Sequence, residues 1–150
     1  MGIISQIPAA LVLPAMAAAS KKEALKELAG AVHAARPELD AERLYATILE
    51  RETLGSTGIG DAIAIPHGKI KGLSEITICF GRSKQGVPFE SLDGKPAHLF
   101  FLLLAPEGAA TPYLTSLAEL SRFLKNPQTR NRLMHAEGGA ELLAILAEAQ

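Results

Sequence analysis

The run Ala97-His98-Leu99-Phe100-Phe101-Leu102-Leu103-Leu104 constrains this chain more than any other segment. Its length and its stop at Pro106 read as a central strand covered on both faces. Such a strand needs helices above and below it, and the rest of the chain can supply them. With 150 residues, 48% of them apolar, the chain has the size and balance of one globular domain.

The elements around that strand follow from local signals. Ser20 and Glu23 form a capping box, and Leu25, Leu28, Ala29 and Val32 then recur at helical spacing to about Ala35. Pro37 breaks this helix. Asp40 caps a second one with a stripe of Leu44, Ile48 and Leu49, carrying Glu50-Arg51-Glu52 near its end. A glycine-rich loop, Leu54–Gly60, leads into the short apolar strand Ala62–Ile65, which Pro66-His67-Gly68 stops. Ile76–Phe80 is a second strand, with turn signals at Gln85-Gly86 and Asp93-Gly94. After the central strand, Thr111-Pro112 opens a helix through Leu114, Leu117, Ala118, Ser121 and Leu124. Asn126-Pro127 starts Gln128–His135, and Gly138-Gly139 precedes a last helix, Ala140–Ala149. The class expected is α/β: residues 1–150 form a single sandwich domain with a mixed sheet of about four or five strands flanked by helices. Residues 1–10 are expected to be a loosely ordered N-terminal segment.

Charge and cysteine usage exclude several functions. Fifteen Lys and Arg against sixteen Asp and Glu leave a formal charge of -1, which argues against a general nucleic-acid binder. The single Cys79 cannot form an internal disulfide and is expected to be a small core residue. His33, His98 and His135 show no metal-ligand spacing, so no metal is expected. Met1–Ser20 lacks a basic start, and Pro8 and Pro14 interrupt its apolar stretch, unlike a signal peptide. No run approaches the ~20 apolar residues of a membrane span, and Gln6 stands where myristoylation would want Ser or Thr. The reading is a soluble cytoplasmic protein without membrane insertion.

His67 is the residue most suited to chemistry. It sits between Pro66 and Gly68 where a strand ends, and a neutral imidazole offers a lone pair to act as nucleophile or ligand. A turn histidine with no chemical task fits the same pattern. Gly55, Gly58 and Gly60 with Ser56 and Thr57 can present amides and hydroxyls to an anion, and Arg51 offers a planar donor fork. A plain helix-to-strand connection explains the glycines equally well. A dinucleotide fingerprint is rejected, because it needs a strand before the loop and a helix after it.

The run ERETLGSTGIGDAIAIPHGKI from Glu50 closely resembles the signature of type-2 enzyme IIA domains of the bacterial phosphotransferase system, the fructose, mannitol and nitrogen-regulatory branch. The likeness extends from SKKEALKELA at Ser20, through LFFLLLAPEG at Leu99, to LTSLAELSRFL at Leu114. It implies a phosphocarrier: His67 accepts a phosphoryl group through Nε2 from phospho-HPr, or from its nitrogen-branch counterpart, and passes it to an enzyme IIB. The alternative it implies is a nitrogen-regulatory type of protein whose phosphorylation state controls binding to other proteins. Arg51 matches the family's arginine near the histidine. Ser56, Thr57 and Gly58 are then candidate phosphate binders, and this picture requires no cofactor.

One position departs from the family. Its members commonly carry a second histidine in the helix after LLxPE, immediately before a leucine, where this chain has Tyr113 before Leu114. A phenol donates a hydrogen bond to phosphate but cannot supply the charge of an imidazolium. Tyr113 is therefore expected at the phosphate with an altered role, or as a half-buried aromatic at a helix start.

Overall fold

The structure, a computed structural model, describes residues 2–149. The apolar run forms β6 (Ala97–Pro106), the middle strand of a six-stranded mixed sheet. One edge of β6 pairs antiparallel with β5 (Thr77–Val87), Phe101 opposite Phe80. Beyond β5 lies the parallel β1 (Val12–Leu13). The other edge is divided between two short strands, both parallel to β6. β3 (Ile63–Ala64) pairs with Leu99 and Phe100, and β4 (His67–Ile70) pairs with Leu103 through Pro106. β2 (Gly58–Gly60) folds back antiparallel on β3.

Six strands form where the local signals name three, because Val12–Leu13 and two segments read as loops add short ones. Part of the glycine-rich segment becomes β2, and the Pro-His-Gly element does not end the pairing. Pro66 has no N–H to give the ladder, but its carbonyl accepts from Leu103 N at 2.9 Å, and the chain rejoins the sheet at His67. β5 also runs past the turn signal Gln85-Gly86, which it absorbs as a register shift between Arg82 and Val87.

Among the described residues five α-helices cover the sheet: α1 (Lys21–Ala35), α2 (Ala41–Thr53), α3 (Ala110–Leu124), α4 (Pro127–His135) and α5 (Gly139–Ala147). Ser20 Oγ accepts from Glu23 N at 3.2 Å, and the Glu23 carboxylate accepts from Ala19 N at 2.9 Å, a capping box shifted by one residue. Asp40 and Asn126 cap α2 and α4. Two adjacent residues of β5 show how the layers divide. A β-carbon on Gly81 would meet Met16 and Leu28 of α1, whereas Arg82 reaches the carbonyls of Leu133 and Ala136 at the end of α4. Successive strand side chains point to opposite faces, so α1 and α4 lie on opposite sides. Leu99 through Leu104 are consequently all buried.

Two expectations are corrected. The N-terminal segment from Gly2 on is packed rather than loose, Met1 lying outside the described residues: Ile4, Ile7 and Leu11 are buried, and Glu119 accepts from Ile4 N at 3.0 Å. Their apolar area, more than local propensity, holds 3₁₀ turns at Ile4–Gln6 and Ala9–Leu11 against the domain. Secondly, α3 begins at Ala110, with Pro112 in its first turn, where no N–H is needed. Its inner face is Ser116, Leu120 and Leu124, and Leu114 is 62% exposed.

Candidate active site

His67 opens β4, and its ring is oriented by its own backbone. Nδ1 lies 3.0 Å from the carbonyl oxygen of Ile65. A carbonyl only accepts, so Nδ1 carries the proton and Nε2 of the neutral ring keeps the lone pair. The side chain is half-buried. Burial pushes its pKa below the ordinary 6.5; the bond to Ile65 opposes this, Arg51 adds to it and Glu52 opposes it. A neutral ring with a free nitrogen is thus the dominant form at neutral pH.

That ring shares a cleft of about 420 Å³ with residues of two helices, one turn and its own strand. α2 contributes Thr47, Glu50 and Arg51, the following turn Leu54, β4 Gly68 and Lys69, and α3 Tyr113. Arg51 Nη1 donates to the carbonyl of Gly55 at 3.0 Å, anchoring the guanidinium at the exit of α2. The Tyr113 ring stands 5.5 Å from that of His67, tilted by 54°. Burial raises the Tyr113 pKa against the opposing Arg51 charge, so its hydroxyl remains a protonated donor. A nucleophilic nitrogen, a planar cation and a phenol therefore border one space.

Ser56, Thr57 and Gly58 do not line this cleft. Ser56 Oγ donates to the carbonyl of Phe89 at 2.7 Å and accepts from Gly58 N at 3.1 Å. Thr57 is buried, its amide and hydroxyl both given to the Glu52 carboxylate. Gly58 passes so close to Ser91 that a β-carbon would stand 2.9 Å from its Cα. The polar groups expected to cradle an anion are spent on stitching the loop to its neighbours, and close packing accounts for the glycine.

Thr47, Glu50, Leu54 and Lys69 line the cleft beyond the residues that the sequence motif points to. Two of them had a signal. Thr47 lies one helical turn before Arg51, on the same face. Lys69 lies two residues after His67, on the same side of its strand. The remaining histidines each hold a backbone carbonyl through Nδ1: His33 that of Leu39, His98 that of Ser83, His135 that of Asn131. Cys79 is buried, its pKa pushed to about 12. Among the described residues no helix is long and apolar enough to cross a membrane.

Residues 6–149 match the family described as phosphoenolpyruvate-dependent sugar phosphotransferase system, EIIA 2. A nitrogen regulatory protein of Bradyrhizobium diazoefficiens is 39% identical over 148 residues, 98% of this chain and 95% of that protein. The fructose-specific EIIABC component of Bacillus subtilis is 40% identical over 126 residues, 84% of this chain but 20% of that longer protein. The crystal structure of nitrogen regulatory protein IIA-Ntr from Neisseria meningitidis superposes with a TM-score of 0.87 at 33% identity, covering 96% of this chain and 98% of the other.

Proposed function

The chain belongs to the EIIA 2 family of the phosphoenolpyruvate-dependent sugar phosphotransferase system, whose members are phosphocarriers, and on that premise we propose that the phosphoryl group travels on Nε2 of His67. The donor is a phosphohistidine, that of HPr or its nitrogen-branch counterpart. The Nε2 lone pair attacks phosphorus in line with the donor's N–P bond. The new N–P bond forms as the old one breaks, and the electron pair of the old bond stays on the donor nitrogen. Nδ1 keeps its proton against the Ile65 carbonyl, so no proton has to move. Onward transfer to an enzyme IIB is the same step with His67 as donor.

The single observation that carries this reading is the Nδ1–Ile65 bond in a ring that shares its cleft with Arg51. Phosphoryl transfer asks for alignment and for charge stabilisation of the equatorial oxygens more than for covalent chemistry. Arg51 supplies a fixed positive fork and Tyr113 a neutral donor. Leu54, 81% exposed, gives the rim an apolar character suited to two partners that dock in turn. Both partners would be met in the cytoplasm.

Incubation with phosphoenolpyruvate, enzyme I and HPr tests the reading. An acid-labile phosphate should appear on His67 and be absent from His67→Ala. A second reading draws on the two nitrogen regulatory relatives, which match over nearly their whole length. In it the same phosphorylation sets which protein is bound, through added charge and acceptor oxygens. Pull-downs with phosphorylated and unphosphorylated protein separate the two: a carrier passes the phosphate to an enzyme IIB, whereas a regulator exchanges one bound non-transport protein for another.

A further inference from the structure

Glu52 follows Arg51 directly on the last turn of α2, yet its carboxylate turns inward and is buried, its side chain 2% exposed. One oxygen accepts from Lys21 Nζ at 2.7 Å and from Thr57 N at 2.9 Å, and the other accepts from the Thr57 hydroxyl. A buried carboxylate is costly to dehydrate, and one satisfied by three donors from two distant segments is a rigid tether. What it tethers leads to the reacting ring. The carbonyl of Thr57 accepts from Ile65 N at 3.0 Å, and the carbonyl of Ile65 is the partner of His67 Nδ1. A continuous path of contacts thus runs from Lys21 through Glu52, Thr57 and Ile65 to His67.

We propose that Glu52 is a positioning residue for phosphoryl transfer: held by Lys21, its carboxylate fixes Thr57 and Ile65 so that the Ile65 carbonyl keeps the His67 proton on Nδ1 and leaves Nε2 to attack. This deepens, and rests on, the reading of His67 as the acceptor. Neighbouring residues of α2 divide the work. Arg51 faces the cleft, while Glu52 faces the interior and acts on the imidazole from behind. The Lys21 anchor is itself built in: Nζ also pairs with Glu90 at 3.1 Å and lies 4.8 Å above the Phe89 ring, whose residue's carbonyl receives the Ser56 hydroxyl. The loop between α2 and β2 is thereby clamped from both ends.

The test reads the ring itself as well as the chemistry. Nitrogen-15 NMR of the His67 imidazole across pH, on wild type, Glu52→Gln and Thr57→Val, gives tautomer and titration midpoint. Phosphorylation by enzyme I and HPr gives the rate. Glu52→Gln keeps the shape and loses the charge; Thr57→Val removes one bond and keeps folding testable should the first variant unfold. Wild type should show the Nδ1–H form. Glu52→Gln should mix the two tautomers, lower the titration midpoint and slow phosphorylation about 10- to 100-fold, the scale of a misplaced reacting group. Thr57→Val should move the tautomer and the rate in the same direction by less. Folded variants with wild-type tautomer, midpoint and rate overturn the proposal, as does a wild-type ring in the Nε2–H form. A tautomer change without phosphate on His67 in any protein would instead sink the acceptor reading and leave the tether standing.

Discussion

Gly68 lies directly against Thr47: a β-carbon there would stand 3.1 Å from Thr47 Cγ2, with Ile48 Cγ2 at 3.3 Å. This approach of α2 to β4 brings Arg51, one turn after Thr47, to the cleft that holds His67, one residue before Gly68. The glycine is thus a spacing device for the site.

Gly68→Val should push α2 off β4. We expect a loss of about 1–3 kcal/mol, the usual cost of overfilling a packed contact. Phosphorylation of His67 should slow as well, because Arg51 moves with the helix. Denaturant unfolding alongside initial transfer rates checks both, and a variant as stable and as fast as wild type contradicts the spacing argument.

Arg51→Met removes the cation from the cleft. The guanidinium disfavours the imidazolium, so the His67 titration midpoint should rise. Transfer from phospho-HPr should fall by about 10²-fold, as for loss of one preorganised donor at a developing anion. NMR titration and transfer kinetics measure the two effects independently.

Acid should act on His67 in a defined direction. Its folded pKa lies below 6.5 and its unfolded pKa near 6.5, so between these values the unfolded chain binds more protons. This group's contribution to stability is complete above the unfolded value. It is lost as pH falls from about 6.5 through the folded pKa. Acceptor activity should survive to a lower pH than the ordinary histidine value and then drop as Nε2 is protonated. Stability and rate profiles of wild type against His67→Gln isolate the effect.

Tyr113→Phe keeps the ring beside His67 and deletes only the hydroxyl. A hydrogen bond to a charged phosphate contributes about 1.5–3 kcal/mol, so phosphorylation should slow by roughly 10-fold or more. Tyr113→His introduces a group able to carry charge at the same place, and its rate should gain a pH dependence in the histidine range. If neither variant departs from wild type, the hydroxyl takes no part in transfer.

Arg82→Leu tests the other face of the sheet. The buried guanidinium donates to the carbonyls of Pro14, Leu133 and Ala136 and so ties β5 to the end of α4. Leaving buried carbonyls unsatisfied costs about 1–3 kcal/mol each, so thermal unfolding should shift down markedly. The His67 titration should stay as in wild type, since Arg82 touches no residue of the cleft.

Much of this was legible in short stretches of chain. The caps at Ser20, Asp40 and Asn126 and the buried run 97–104 depend on residues a few positions apart, and they stand as read. The errors share one origin. Helical spacing gives a stripe without saying which stripe meets the sheet, and in α3 it leaves Leu114 62% exposed. Residues 1–10 are expected to be loose because no local signal reports that Glu119 and α5 meet the turn Ile4–Gln6.

The sequence by itself determined the elements, the Pro-His-Gly setting of His67 and the pairing of that histidine with an arginine sixteen positions earlier. Only the tertiary structure decided which polar atoms remain available. The hydroxyl of Ser56 is taken by a carbonyl thirty-three residues away and that of Thr57 by a carboxylate anchored at Lys21, while Arg51 and Tyr113 are left facing His67. Propensity and capping act within one turn of chain. The allocation of a buried hydrogen bond depends on which segments packing brings together, and that is known only when the core has closed.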